Sequence, residues 1–295
     1  SSTPLKIDEQ TTVNLTYTVH HSWYKDNRWL PPEFIAFLMD LKVKNPYYYT
    51  IYCLGYWGNK QTGGLFYKHF DRAKSTDGKI AYNPDIALHL TFDFNVNPYM
   101  SASLWQVVGK VAYCIDEFAM VSPDNNTAGV CKEFTRRYLS HNAGLFIYGD
   151  PSGKNEDTRS EKGHNDYTVI RKDLIQFNPV SRVDSKHPPV VTRGNFINNI
   201  FQDGFEGVNI IISEKCKHFI NDLLFLKEAS DGTKFKEKTK DKESGITYEK
   251  YGHFTDGFDY FICKCFNTEF LMYQNGKNPV QRSLGSNTFN SKVKY

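Results

Sequence analysis

No run of about 18 uncharged apolar residues occurs in this chain, and the basic-then-apolar pattern of a signal peptide is missing from its start, so a soluble intracellular protein is expected. Paired Cys-x-x-Cys spacing is absent too. Cys53, Cys114, Cys131, Cys216, Cys263 and Cys265 are scattered among mostly apolar neighbours, which argues against a structural zinc site and for reduced, buried thiols. Gly149-Asp150-Pro151-Ser152-Gly153-Lys154 lacks the glycine spacing of a phosphate loop, and Asn155 follows the lysine. Neither a Gly-x-Ser-x-Gly nucleophile elbow nor a His-Glu-x-x-His zinc motif is present, and His20-His21 stands alone. Walker-type ATP hydrolysis, serine-esterase chemistry and zincin proteolysis are thereby set aside.

What the 295 residues do contain is 40% apolar and 15% aromatic content, enough for a sizeable core in one large domain or two small ones. A formal charge of +3 identifies no partner by itself, because nucleic-acid affinity follows the clustering of Lys and Arg. The densest cluster, Lys234, Lys236, Lys238, Lys240 and Lys242, is interleaved with Glu237, Asp241 and Glu243. It reads equally as a solvated loop or as a phosphate-contacting element.

Pro31-Pro32-Glu33 opens a helical pattern with Phe34, Phe37, Leu38 and Leu41, closed by Asn45-Pro46. The aromatic stretch from Tyr47 to Trp57 is expected to pack against the main domain. From Asp85 the period becomes two, with Ile86, Leu88, Leu90, Phe92 and Phe94 alternating against Ala87, His89, Thr91 and Asp93. Strands follow over Ser101 to Val108 and Lys110 to Phe118, then a helix over Asn125 to His141 and a strand over Gly144 to Gly149. Three strands, a helix and a fourth strand parallel to the first give an α/β, RNase H-like (RuvC-like) mixed sheet flanked by helices. Helices over Thr192 to Phe201 and Glu214 to Leu226 enclose a short strand, Val208 to Ile212. Asp231 to Gly252 reads as a two-stranded excursion, and a last helix runs from His253 to about Phe266. The polar residues from 276 to 295 read as a tail.

Three acids stand at the ends of elements that this topology brings together. Asp93 ends the first strand, Asp150 ends the fourth, and Asp256 lies on the polar face of the last helix with His253 and Asp259 three residues to either side. Each alone reads as readily as a turn former or a solvated acid. Converging, they suit hydrolysis at a phosphodiester, which needs carboxylates for hard divalent ions about 3.5 to 4 Å apart. Glu117, at the end of the third strand, is either a fourth acid of the cluster or half of a surface pair with Asp116.

Beyond these readings, the ordered motifs resemble the C-terminal nuclease portion of the large terminase subunit of tailed bacteriophages. Trp23-Tyr24-Lys25-Asp26-Asn27, Leu30-Pro31-Pro32-Glu33-Phe34 and Tyr52 to Gly58 look like its segment joining ATPase to nuclease. Phe92-Asp93-Phe94-Asn95-Val96-Asn97-Pro98 looks like its first acidic motif. Ile115-Asp116-Glu117, Tyr148 to Gly153 and Asp166-Tyr167 fit its following strands. His253-Phe254-Thr255-Asp256-Gly257-Phe258 is similar to its last motif, although Asp259 stands where the family often carries a basic residue. The resemblance covers about His20 to Phe266.

This likeness implies metal-dependent cutting of concatemeric double-stranded DNA by two Mg²⁺ or Mn²⁺ ions on Asp93, Asp150 and Asp256. Lys154, Arg159, Lys162, Lys234 and Lys236 are then the expected DNA contacts. It further implies a linker and packing segment over 1–80 joined to an ATPase not seen in this sequence, and a nuclease domain over 81–275. Work in the host cytoplasm is expected, with portal protein, small terminase subunit and procapsid as partners and no membrane. A junction resolvase or transposase-type nuclease on the same fold, and a non-catalytic DNA-binding or docking module, are the alternatives.

Overall fold

Proline suits the first turn of a helix, where its missing N–H has no partner to lose, and the first helix, α1, starts on one at Pro32–Lys44. The computed structural model describes residues 2–6, 12–16, 20, 22–44, 49, 53–55, 64–154, 165–241 and 245–276. The expected stop at Asn45-Pro46, most of the Tyr47 to Trp57 stretch, Arg159, Lys162 and the 277–295 tail lie outside them. The chain divides into two compact units, Ser1–Gln61 and Thr62–Tyr295. In the first, β1 (Ser2–Lys6) and β2 (Thr12–Thr16) pair antiparallel ahead of α1.

The second unit is built on a seven-stranded sheet. A one-turn helix α2 (Arg72–Ser75) leads into β3 (Thr76–Asp77), and β4 (Leu88–Asp93), β5 (Met100–Val108) and β6 (Val111–Met120) then form an antiparallel meander. Helix α3 (Thr127–Tyr138) crosses to β7 (Leu145–Gly149), which lies parallel beside β4 with Phe92 opposite Gly149. Next come α4 (Asp166–Asp173), β8 (Val180–Ser181), α5 (Val190–Phe201), β9 (Asn209–Ser213) and α6 (Lys217–Phe225). A hairpin of β10 (Lys238–Lys240) and β11 (Thr247–Glu249) precedes α7 (Thr255–Cys265) and α8 (Asn267–Gln274).

Strand order β3-β9-β6-β5-β4-β7-β8 puts the first strand of the meander between the second and the fourth, which is the RNase H-like arrangement. The strands and helices expected in this unit are present within a few residues. Helices α4 and α8 and the two-residue strands β3 and β8 have no counterpart in the sequence reading, being too short to carry a period.

Alternation along β4 divides its side chains between two cores. Leu88, Leu90 and Phe92 join Val130, Phe134 and Tyr138 of α3 and Ile170 of α4. On the other face, Trp105, Phe196, Phe219, Phe258 and Phe261 form the core under α5, α6 and α7. His89 meets Phe261 there at 5.5 Å between ring centroids, so β4 presents Asp93 to the α7 side. Five of the six cysteines are buried and all are free, as expected of reduced thiols.

Candidate active site

Glycine sets the distance between the strand and the helix that carry two of the acids. A Cβ on Gly257 would lie 3.0 Å from the Phe92 carbonyl oxygen and 3.3 Å from Thr91 Oγ1, so α7 rests directly on the backbone of β4. The neighbouring Asp256 is thereby brought to Asp93. Asp93 Oδ1 accepts from Asn95 Nδ2 at 2.9 Å, whereas Oδ2 is buried with no hydrogen-bond partner. Burial, and then the charge of Asp256, push the Asp93 carboxyl well above its ordinary pKa.

Asp256 itself is compensated. Its Oδ1 accepts from Lys234 Nζ at 2.9 Å and from Arg193 Nη2 at 3.1 Å. Burial opposes its charge, but Lys234 and Arg193 outweigh it and hold the carboxyl below its usual range. The same two cations serve Asp259, which is fully buried: Lys234 stands 2.7 Å and Arg193 Nε 3.6 Å from its Oδ2, and Tyr67 donates to Oδ1 at 2.7 Å. Asp259 is thus the counter-ion that keeps two basic side chains beneath Asp256.

Asp150, at the end of β7, accepts from the Ser152 amide at 2.7 Å and from the Tyr260 hydroxyl at 2.9 Å. Burial raises its carboxyl, yet these bonds and nearby His187 bring it below the ordinary value. Tyr260 is in contact with His187, stacked at 3.5 Å and 9° between planes, and with Arg193, 4.5 Å from its ring centre. This stack links the surroundings of Asp150 to those of Asp256. His187 Nε2 is buried without a hydrogen-bond partner, 3.9 Å from Asp150 Oδ2, and burial lowers its pKa.

Two expected roles need correction. Glu117 does not reach the acids: its two oxygens accept from the His218 and Phe219 amides, so it caps the N-terminus of α6. Lys234 does not face DNA, because its side chain is 7% exposed between Asp256 and Asp259. Among the described residues no group of three or more His, Cys, Asp and Glu side chains is placed to share a metal ion. At the C-terminal ends of β4 and β7, the acid edge of the sheet, Asp93 stands with Asp256 and, beyond Tyr260, Asp150 with His187.

His253 is buried, with Nε2 on the Glu249 carbonyl, and its own carbonyl accepts from Ser101 Oγ at 2.6 Å. It fastens the approach to α7 and contacts no acid. Lys236 is exposed and pairs with Glu249 at 2.9 Å; Lys154 is exposed beside the Val183 carbonyl.

Sequence reading passed over Arg193, His187, Tyr67 and Asp222. Arg193 had a signal, being the sole charge in the otherwise uncharged helix α5. Asp222 is the sole acid of α6. Its carboxylate accepts from the Gly252 amide at 2.8 Å and the Phe254 amide at 2.9 Å, and so sets where α7 begins. Burial pushes its pKa up to about 6. With a folded pKa above the unfolded one, the native state binds the extra proton, and stability falls as pH rises from about 4 to about 6. Thermal melts across that window should show a loss of roughly 3 kcal/mol from this group, flattened in Asp222→Asn.

Sheet order and acid placement together define an RNase H-like domain with a carboxylate-bearing edge. Residues 4–56 match the family model described as phage terminase large subunit. The likeness read from the motifs therefore recurs over the segment holding Trp23 to Asn27 and Leu30 to Phe34, ahead of the acids. No curated protein matches the chain. Among solved structures, the large terminase of a thermophilic bacteriophage is similar at 14% identity and TM-score 0.49, over 81% of this chain and 52% of that one. The nuclease domain of the P22 large terminase gives 9% and 0.46, over 74% and 95%. The large terminase nuclease of the thermophilic phage G20c, solved with bound cobalt, gives 9% and 0.39, over 69% and 96%. The chain spans about half the length of the first of these terminases. No described helix is long and apolar enough to cross a membrane.

Proposed function

We propose that this chain is the metal-dependent endodeoxyribonuclease portion of a viral genome-packaging terminase, cutting concatemeric double-stranded DNA by two-metal-ion phosphodiester hydrolysis. The observation that carries this reading is Asp93, a carboxylate with one buried, orphaned oxygen beside Asp256 at the edge of an RNase H-like sheet. An acid placed so that its charge is disfavoured, with one oxygen unpartnered, fits a cation.

Asp93 and Asp256 would hold one divalent ion and Asp150 the other, Mg²⁺ or Mn²⁺, which when bound activate water and stabilise the leaving oxygen. The chain's own residues supply the positioning. Asn95 orients Asp93; Ser152 and Tyr260 fix Asp150; Arg193 and Lys234 fix Asp256 through one oxygen. Exposed Lys154 and Lys236 flank this edge and would meet DNA phosphates, making binding fall with added salt. Double-stranded DNA is the substrate in this reading, with portal protein, small terminase subunit and procapsid as partners in the host cytoplasm.

The test is plasmid cleavage by the purified chain in Mn²⁺, Mg²⁺ or EDTA beside Asp150→Asn. Metal-dependent nicking or linearisation that disappears in the variant is expected. Cleavage at the same rate by both proteins would rule out this assignment of the centre.

A further inference from the structure

His187 sits in the connection between β8 and α5, and no part of the proposed reaction uses it. Its ring lies flat on Tyr260, 3.5 Å between centroids, which fixes the imidazole plane. Its Nε2 is buried, has no hydrogen-bond partner and stands 3.9 Å from Asp150 Oδ2. That distance is too long for a hydrogen bond. Two ligands of one transition-metal ion, each about 2.1 Å from it, lie at most about 4.2 Å apart, so the separation falls inside the span that one ion bridges. A cleft of about 50 Å³, lined in part by Gly149, Asp184, His187, Tyr260 and Lys264, opens beside the same ring.

We propose that His187 and Asp150 form a mixed nitrogen and oxygen metal subsite, with His187 Nε2 as a ligand that no motif of the sequence marks. The proposal rests on the reading of Asp150 as a metal ligand and adds to it a preference among ions. Carboxylate and water suit Mg²⁺, whereas imidazole favours later first-row ions such as Co²⁺. Tyr260 fixes both members, as stacking surface for the imidazole and hydrogen-bond donor to the carboxylate. Loss of the nitrogen should therefore weaken Co²⁺ far more than Mg²⁺.

The experiment is titration of the purified chain with Co²⁺ and separately with Mg²⁺, by calorimetry and by the visible absorption of Co²⁺, for wild type, His187→Gln, His187→Phe and Asp150→Asn. His187→Phe keeps the stack on Tyr260 and removes only the nitrogen. Both His187 variants are expected to bind Co²⁺ about tenfold more weakly, with an altered Co²⁺ spectrum and Mg²⁺ affinity unchanged. Wild-type Co²⁺ affinity and spectrum in both His187 variants, with binding lost in Asp150→Asn, would overturn the histidine ligand and leave the acid reading standing. Unchanged Co²⁺ binding in Asp150→Asn would overturn both together.

Discussion

Asp93→Asn is expected to lose at least about a thousandfold in metal-dependent DNA cleavage and, in EDTA, to melt higher than the wild type. The two effects have one cause. Asp93 is held in a position where burial and the neighbouring Asp256 disfavour its charge, and where Oδ2 has no partner. Without a divalent ion the carboxylate is a source of instability; with one it becomes the ligand that the chemistry requires. Asparagine keeps the volume and the Oδ1 that accepts from Asn95, and it removes the buried charge. Relief of about 1–2 kcal/mol should raise the melting temperature by roughly 2–4 °C or more. Saturating Mn²⁺ should then stabilise the wild type more than the variant, which keeps only the site at Asp150. A variant that cuts at the wild-type rate, or that melts lower in EDTA, would remove Asp93 from the centre.

Lys234→Met carries the largest expected stability loss, about 3–5 kcal/mol. Its ammonium is buried between Asp256 and Asp259 and lies 5.5 Å from the centre of the Phe66 ring. Methionine fills much the same space but leaves Asp259, fully buried, with Arg193 at 3.6 Å and the Tyr67 hydroxyl as its remaining partners. Breaking one half of a buried ion pair strands the other half, whereas replacing both halves removes the stranded charge as well. The double variant Lys234→Met with Asp259→Asn should therefore be less destabilised than the sum of the two single changes, by about 1 kcal/mol or more. Urea titrations of the four proteins in EDTA measure this. Additive losses would show that Lys234 and Asp259 act independently.

Much of this arrangement was legible before any coordinates. Period-two alternation around Asp93, short turns and one intervening helix fixed β4, β5, β6, α3 and β7, and with them the adjacency of the strands that end in Asp93 and before Asp150. The glycine after Asp256 belongs to a recognisable motif; its reason, direct contact between α7 and β4 at Gly257, appears only in three dimensions. Charge patterning misled at Lys234. A lysine in a run of lysines and acids reads as solvated, and nothing local says that two aspartates on a later helix will draw it inside. Asp259 misled in the same way, as a departure from a family pattern that places a base there. In this chain the basic groups arrive from α5 and from the segment before β10. Glu117 had the composition of a site acid and is consumed by the N-terminus of α6, a partner 101 residues away for the His218 amide.

The pairing of β4 with β7, and of β6 with β9, joins strands that are far apart along the chain and must be closed by long loops. Such closure is slow, because chain entropy is lost before the contacts form. Helix α7 comes later still, and its docking brings Asp256, Asp259 and Tyr260 at once. The acid edge is consequently complete only once that helix has docked: until then Asp93 is open to water, its charge unstrained, and Lys234 is without its counter-ions. Time-resolved appearance of metal binding during refolding should lag behind formation of the sheet.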